Sequence, residues 1–394
     1  MDAPSHIALI LRGEVVMSAS QPNCIWEPAV ARRRWYAGAD QPARLSLEID
    51  SITHQGELVA VLTQDVLQMP FCALTRLARL DGTHLPKVLV VAPLSGHFPI
   101  LLRDLVVGLL PSFQVFITDW VNARHVAFDQ GPFDLETNVS YIADMIEHVG
   151  PGLNVMALCQ AALPALVATA HLSETSETSA PRTLVLMAAP VDPSANPTRV
   201  VRLIRARPLS WYERNLIARV PASYRGQDRL VYPGSMQLLG LWAHLARHVG
   251  EGGELLGKIL HNDGNDPLRF PFFDLYSTLM DLPAEVFLDT IRRIYQERSV
   301  WQGKLTARSR QADFGAIRST ALMTVEGEDD DIAAPGQTRR AHDLCPAVPT
   351  DARRHLLVPD CGHFSLFHGD IWRTRVLPEV RAFITRFGDP GVGL

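Results

Sequence analysis

Six short apolar runs between residues 88 and 358 constrain the fold of this chain more than any other feature. Val88-Leu-Val-Val-Ala92, Val115-Phe-Ile-Thr118, Val155-Met-Ala-Leu158, Leu184-Val-Leu-Met187, Ala321-Leu-Met-Thr-Val325 and Leu356-Leu-Val358 are each bounded by Pro, Gly, Asp or Asn. None alternates apolar with polar residues, so each is expected to be buried on both faces, as the strands of a parallel sheet are. Helical stretches such as Ala161 to His171 separate several of them, which predicts βαβ units and an α/β fold on a mostly parallel, doubly wound sheet. The final segment places Val376, Leu377, Val380, Phe383, Ile384 and Phe387 on one helical face, which should pack against that sheet.

Around this core the pattern changes twice. Residues 1–80 read as an amino-terminal extension with edge strands, at Leu45 to Ile49 and Leu58 to Leu62, with Gly56 in the turn between them. Residues 81–190 and 317–394 carry the apolar runs and form the expected core. Between Val191 and Ala316 the strand pattern stops, so residues 191–316 read as an inserted helical cap, or lid. The insertion is rich in aromatics, among them Trp211, Tyr212, Tyr232, Trp242, Phe272, Phe273, Tyr276 and Trp301. Most are expected to form its own small core, with Trp211 and Tyr232 the candidates for substrate contact.

The chemistry concentrates at three places. In Val155-Met-Ala-Leu-Cys-Gln-Ala-Ala-Leu-Pro164 a strand meets a helix at Cys159, with Ala157 and Ala161 two residues to either side. A nucleophile elbow requires small residues at those positions so that strand and helix can approach; here G-x-S-x-G becomes A-x-C-x-A. The strand ending at Val325 runs into Glu326-Gly-Glu-Asp-Asp-Asp-Ile332, an acidic cluster at the carboxyl end of a sheet strand, where open α/β sheets place their ligands. Asp330 is the expected acid, with Asp329 and Asp331 its competitors. Leu356-Leu-Val-Pro-Asp-Cys-Gly-His363 then puts His363 on the loop after the last strand. The order nucleophile, acid, histidine is that of the α/β-hydrolases, and it predicts a Cys159–His363–Asp330 triad on that fold. A tetrahedral intermediate also needs N–H donors for its oxyanion. One is expected from Gln160, and the other from Leu94 or Ser95 in Ala92-Pro-Leu-Ser-Gly-His-Phe98. His97, on that loop, is a further candidate for substrate contact.

Composition narrows the alternatives. With 47% hydrophobic and 20% charged residues the chain has the balance of a soluble globular protein, and a net charge of -5 gives no positive field for nucleic acid. No stretch reaches the roughly 18 unbroken apolar residues of a membrane span. Ile7-Ala-Leu-Ile-Leu11 is too short for a secretory signal and no basic segment precedes it. Five cysteines, an odd number without C-x-x-C pairs or zinc spacing, suggest free thiols in a reducing compartment. The expectation is a cytoplasmic protein with no metal site and no organic cofactor.

At these residues the sequence resembles the intracellular poly(3-hydroxybutyrate) depolymerase family, from about Met69 to the carboxyl end. The matching stretches are Ala92-Pro-Leu-Ser-Gly-His97, Val115-Phe-Ile-Thr-Asp-Trp120, Leu158-Cys-Gln160, Val231-Tyr-Pro-Gly234, Met280-Asp-Leu-Pro-Ala-Glu285, Thr324-Val-Glu-Gly-Glu328, and Gly362-His363 followed by Trp372-Arg373. Ala161 stands where a proline is expected, and the residues up to Asp40 match poorly. The resemblance implies hydrolysis of amorphous storage polyester through a cysteine nucleophile, with the surface of the polyester granule as partner. Two rivals differ in class. A polyhydroxyalkanoate synthase-like acyltransferase also uses an elbow cysteine, normally between glycines. A non-catalytic granule-binding protein would keep the fold without turnover.

Overall fold

The computed structural model describes residues 47–95, 99–237 and 279–388. Its central feature is a nine-stranded sheet in the order β1-β2-β3-β5-β4-β6-β7-β13-β14. Strands β1 (Ser51–His54), β2 (Glu57–Met69) and β3 (Cys72–Arg79) form an antiparallel meander at one edge, and β3 pairs antiparallel with β5 (Gln114–Trp120). From there the sheet is parallel through β4 (Lys87–Val91), β6 (Asn154–Leu158), β7 (Thr183–Met187), β13 (Ala321–Gly327) and β14 (Arg353–Val358). The six apolar runs predicted as parallel strands are β4, β5, β6, β7, β13 and β14. Val88 to Val91, Val155 to Ala157 and Leu184 to Met187 have no solvent exposure, which is why these strands read as uninterrupted apolar runs.

The amino-terminal edge departs from the sequence reading. Gly56 does occupy the turn between two strands, at φ +85°, but the first strand is Ser51–His54, and the described residues of the expected Leu45 to Ile49 strand are irregular. The second strand runs on to Met69, and a third, β3, was not anticipated. On β2 alternation puts Leu58, Ala60 and Leu62 on one face, and Leu80 joins it by donating its N–H to the Ala60 carbonyl at 3.0 Å. Leu58, Leu62 and Leu80 are all exposed.

Helices α1 (Pro99–Leu109), α2 (Leu135–Val149) and α3 (Ala162–Thr175) connect the first parallel strands. Asp134 caps α2 by accepting the Thr137 N–H at 2.8 Å, and Gly150 ends it at φ +83°. The α3 helix is mostly apolar and is buried on every side from Ala162 to Leu172, Thr169 and His171 included. It lies immediately behind the candidate nucleophile, and its alanines let it approach the sheet closely. The last helix, α7 (Leu377–Gly388), buries Leu377, Val380, Phe383, Ile384 and Phe387, the apolar stripe expected of it.

Between β7 and β13 the chain forms α4 (Arg199–Arg205), α5 (Leu209–Leu216) and α6 (Ala284–Asp289), the last continuing into a π-helical turn at Thr290–Gln296. This segment is less purely helical than expected. It carries a three-stranded antiparallel sheet, β8 (Ala218–Arg219), β9 (Leu230–Tyr232) and β10 (Leu282–Pro283), and a two-stranded hairpin, β11 (Thr306–Ala307) and β12 (Arg310–Gln311). A buried ion pair ties it to the loop after β5. Arg124 donates to both carboxylate oxygens of Asp281, at 3.0 and 2.8 Å, and Asp281 also accepts the Gly234 N–H at 2.9 Å. The Asp281 N–H donates to Asn122 Oδ1 at 3.2 Å and its carbonyl accepts the Ala123 N–H. No helix among the described residues is long and apolar enough to cross a membrane.

Candidate active site

Strand order sets the place of the site. β4 lies between β5 and β6, so the chain leaves the carboxyl ends of β4 and β6 toward opposite sides, the switch point at which open α/β sheets bind ligands. Ala92-Pro-Leu-Ser95 leaves one of these ends and Cys159 the other. The β4 exit is pinned by Trp120, whose Nε1 donates to the Ala92 carbonyl at 2.8 Å, and by Thr118, whose hydroxyl accepts the Ala92 N–H at 2.9 Å.

Cys159 has φ +49°, a left-handed conformation that costs a non-glycine residue on the order of 1–3 kcal/mol. The chain tolerates it because β6 and α3 grip both flanks: Ala157 is fully buried and Ala161 nearly so. The strain turns the Cys159 side chain out of the sheet, so it stays partly exposed while Cys72, Cys345 and Cys361 are buried. Burial pushes the thiols of Cys345 and Cys361 up to about 12. They are neutral packing groups at physiological pH.

His363 and Asp330 meet across the ends of β13 and β14. Asp330 Oδ2 lies 2.8 Å from His363 Nδ1, and Oδ1 accepts the N–H groups of Ile332 and Ala333 at 2.9 and 2.8 Å. Asp329 and Asp331 are exposed, so of the three aspartates Asp330 is the one brought to the imidazole. The two loops touch: the Asp329 N–H donates to the Cys361 carbonyl at 3.0 Å, and a Cβ on Gly327 would collide with that same carbonyl oxygen. Cys159 lies close enough to His363 for its charge to raise the imidazole pKa, and with Nδ1 engaged by Asp330 the ring nitrogen left for the sulfur is Nε2. Burial lowers the imidazole pKa, but the charges of Asp330 and Cys159 and the Asp330 hydrogen bond outweigh it and hold His363 up at about 10. Phe364 and Phe367 pack edge-on against the ring, with centroids at 5.3 and 5.6 Å.

Gln160 is the second residue of the turn that opens α3, so its N–H has no acceptor within the helix. Its side chain reaches back across the switch point: Gln160 Oε1 accepts the Ser95 N–H at 3.2 Å, and Nε2 donates to Thr290 Oγ1 at 3.2 Å. The Ser95 hydroxyl bonds Gln237 Oε1 at 3.4 Å, while Gln237 Nε2 donates to the Met280 carbonyl at 2.8 Å. Leu94 is buried. Thr290, Gln237 and Tyr295 were not singled out in the sequence. Tyr295 shares the π-helical turn with Thr290; burial first, then the negative charges of Cys159 and Asp330, keep its phenol well above the usual range.

Of the remaining candidates, Tyr232 reaches the group through its carbonyl, 3.5 Å from Gln237 Nε2. The Trp211 ring packs edge-on against Tyr212 under the Arg207 guanidinium, and Tyr232 stacks on Phe287 at 4.0 Å. His97 lies outside the described residues. A cavity of about 350 Å³ lined by Arg205, Ala206, Arg207, Pro208 and Gln296 shares no residue with the Cys159 group. Among the described residues no cluster of His, Cys, Asp or Glu could hold a metal ion.

This sheet, with a cysteine at an elbow and a buried His–Asp pair on the last two loops, has the architecture of an α/β-hydrolase, and its family match makes the chain a carboxylic ester hydrolase. The chain belongs to the PHB depolymerase family: the family model described as PHB de-polymerase C-terminus matches residues 188–388. That stretch contains Asp330 and His363 and begins after the elbow. Solved structures similar to this chain include a thermophilic esterase from Thermogutta terrifontis, at 12% identity over 88% of this chain and 100% of that one, with a TM-score of 0.46. A meta-cleavage product hydrolase from Pseudomonas fluorescens IP01 aligns at 13% identity over 85% and 97%, with a TM-score of 0.42. No curated protein matches the sequence.

Proposed function

We propose that this ester hydrolase cleaves amorphous intracellular poly(3-hydroxybutyrate) through Cys159, His363 and Asp330, and releases 3-hydroxybutyrate oligomers or monomers. The observation that carries the reading is the Asp330–His363 hydrogen bond at 2.8 Å, with the imidazole under the electrostatic influence of a cysteine whose backbone is held at φ +49°. The Asp330 carboxylate fixes the tautomer and orientation of the imidazole. His363 takes the thiol proton, and the sulfur attacks the ester carbonyl. The Gln160 N–H, with that of Leu94 or Ser95, receives the oxyanion. His363 returns the proton to the departing alcohol, leaving a thioester on Cys159. A water deprotonated by His363 then attacks the thioester, the acid leaves, and the thiol is restored.

The segment 191–316 is assigned the role of a cap over this site, and the granule surface that of the macromolecular partner. The protein would work in the cytoplasm at that surface. The test pairs Cys159→Ala with Cys159→Ser on native amorphous granules and on a soluble p-nitrophenyl ester. Alanine should abolish turnover of both substrates, and serine should keep a small fraction. Full alkylation of Cys159 by iodoacetamide, mapped by peptide mass, should abolish activity; turnover that survives it removes the nucleophile assignment. Polymer formation and CoA release from 3-hydroxybutyryl-CoA would instead make the chain an acyltransferase.

A further inference from the structure

The Ser95 N–H, which shares with that of Leu94 the candidacy for second oxyanion donor, already has an acceptor: the side-chain carbonyl of Gln160 at 3.2 Å. Gln160 is thus attached to the site twice, by a main-chain N–H offered to the substrate and by a carboxamide that occupies the opposing donor. The far end of that carboxamide is held at 3.2 Å by Thr290, whose hydroxyl donates in turn to the Val286 carbonyl at 2.7 Å. Thr290 is buried, so this chain of bonds runs from a buried anchor on the inserted segment through half-buried Gln160 to exposed Ser95 at the mouth of the elbow. The π-helical turn contributes to its aim. Bonding from residue i to i+5, as in the Glu297 N–H to Arg292 carbonyl bond, brings Thr290 and Tyr295 round toward the same side.

We infer that the Gln160 carboxamide is an internal stand-in for the substrate at the Ser95 N–H, latched by Thr290 and released when a reacting ester takes its place. This rests on the reading of Cys159 as nucleophile. A neutral carboxamide oxygen satisfies the donor while the site is empty, so the loop after β4 keeps its aim without leaving a polar group unpaired. A tetrahedral oxyanion is the stronger acceptor, because hydrogen bonds to a charged oxygen are about twice as strong as neutral ones. A ground-state ester carbonyl has no such advantage over Gln160. The exchange therefore favours the transition state over the bound substrate, which is the condition for raising rate rather than merely affinity. Thr290 acts through Gln160 and is a positioning residue. Because it lies on the inserted segment, a shift of that segment loosens the latch.

The test uses full-length protein and the soluble p-nitrophenyl ester. Thr290→Val removes the acceptor for Gln160 Nε2 at nearly constant shape, and should raise kcat/KM by about three- to tenfold, the worth of one net hydrogen bond. Thr290→Ser, which keeps the hydroxyl, should return the wild-type value. Gln160→Ala keeps the main-chain donor and should match or exceed Thr290→Val. In the double variant Thr290→Val should add nothing to Gln160→Ala, since the threonine acts only through the glutamine. An unchanged kcat/KM in Thr290→Val, additive effects in the double variant, or a more than tenfold fall in kcat for Gln160→Ala would each overturn the inference. The iodoacetamide reaction of Cys159 in the same variants separates this outcome from failure of the nucleophile. Inactivation on alkylation keeps Cys159 in place whatever Gln160 does.

Discussion

Asp330 and His363 are joined at 2.8 Å across 33 residues of chain, and the carboxylate that makes this bond is immobile, because its other oxygen accepts the N–H groups of Ile332 and Ala333. The imidazole is therefore held by a group that cannot turn away from it. Replacing Asp330 by Asn keeps the shape but allows the wrong tautomer. In Ser-His-Asp enzymes that change lowers kcat by about 10⁴, and here kcat on a soluble ester should fall by about two to four orders of magnitude. An NMR titration of the His363 ring should show the imidazolium persisting toward pH 10 in the wild type and lost at lower pH in Asp330→Asn.

The same shift has a stability consequence. The folded pKa of His363 is raised to about 10, above the roughly 6.5 of an unfolded histidine. The folded state therefore binds the proton more tightly. This contribution is fully present below about pH 6.5 and disappears as the pH rises through about 10. Thermal melting between these limits should show a steeper loss of Tm in the wild type than in His363→Gln. Parallel curves would mean that the imidazole is not held as an ion.

A second histidine works in the opposite direction. Thr324, on β13, shares its hydroxyl between His342 Nε2 and His355 Nδ1, each at 2.9 Å. Burial, with the neighbouring His355 next, pushes His342 down to about 4, and His342 Nδ1 is a buried atom without a partner. The unfolded chain takes up this proton near pH 6.5 and the folded chain only near pH 4, so stability is lost as the pH falls through that interval. His342→Gln should flatten the acid limb of the Tm profile while leaving esterase activity at pH 8 unchanged.

Close contact between the loops bearing Asp330 and His363 depends on the missing side chain at Gly327. Gly327→Ala places a methyl against the Cys361 carbonyl, and overpacking of this kind costs about 1–3 kcal/mol. The two loops must part for the methyl to fit. The expected result is a lower midpoint in urea together with a fall in kcat, the latter persisting at temperatures where the variant is fully folded.

The Arg124–Asp281 pair anchors the base of the inserted segment, with side chains almost wholly buried. Removing one partner leaves a buried, uncompensated charge, which costs about 3–5 kcal/mol. Asp281→Ala also strips acceptors from the Gly234 N–H and Arg124. Its stability should fall by about that amount in urea titrations, whereas the apolar double replacement Arg124→Met with Asp281→Leu should recover much of the loss. Additive losses in the double variant would argue against the pair as a unit.

Much of the fold was legible because buried parallel strands announce themselves as unbroken apolar runs, and the elbow because only small residues fit beside it. Strand β3 was not. Cys72-Ala-Leu-Thr-Arg-Leu-Ala-Arg79 is rich in Ala, Leu and Arg, which favour helix, and it becomes a strand because β2 and β5 offer ladders on both sides. The two-residue strands of the inserted segment are too short to show a period. Among the acidic residues after β13, the sequence offered three consecutive aspartates, and Asp330 is distinguished only by its burial and its 2.8 Å approach to His363. The Gln160–Thr290 bond spans 130 positions; neither residue carries a local mark of it, and a π-helical turn has no sequence signature on which to predict it.

β4 and β6 are hydrogen-bonded neighbours, with Val91 opposite Ala157, so the points from which the donor loop and the cysteine turn leave the sheet are set by the spacing of adjacent strands, about 4.8 Å. That distance is a property of every parallel sheet and cannot be tuned by swapping side chains. On the proposed function, diversification toward longer or bulkier polyesters would proceed through the proposed cap, residues 191–316, while the reacting geometry stays fixed by the backbone ladder beneath it.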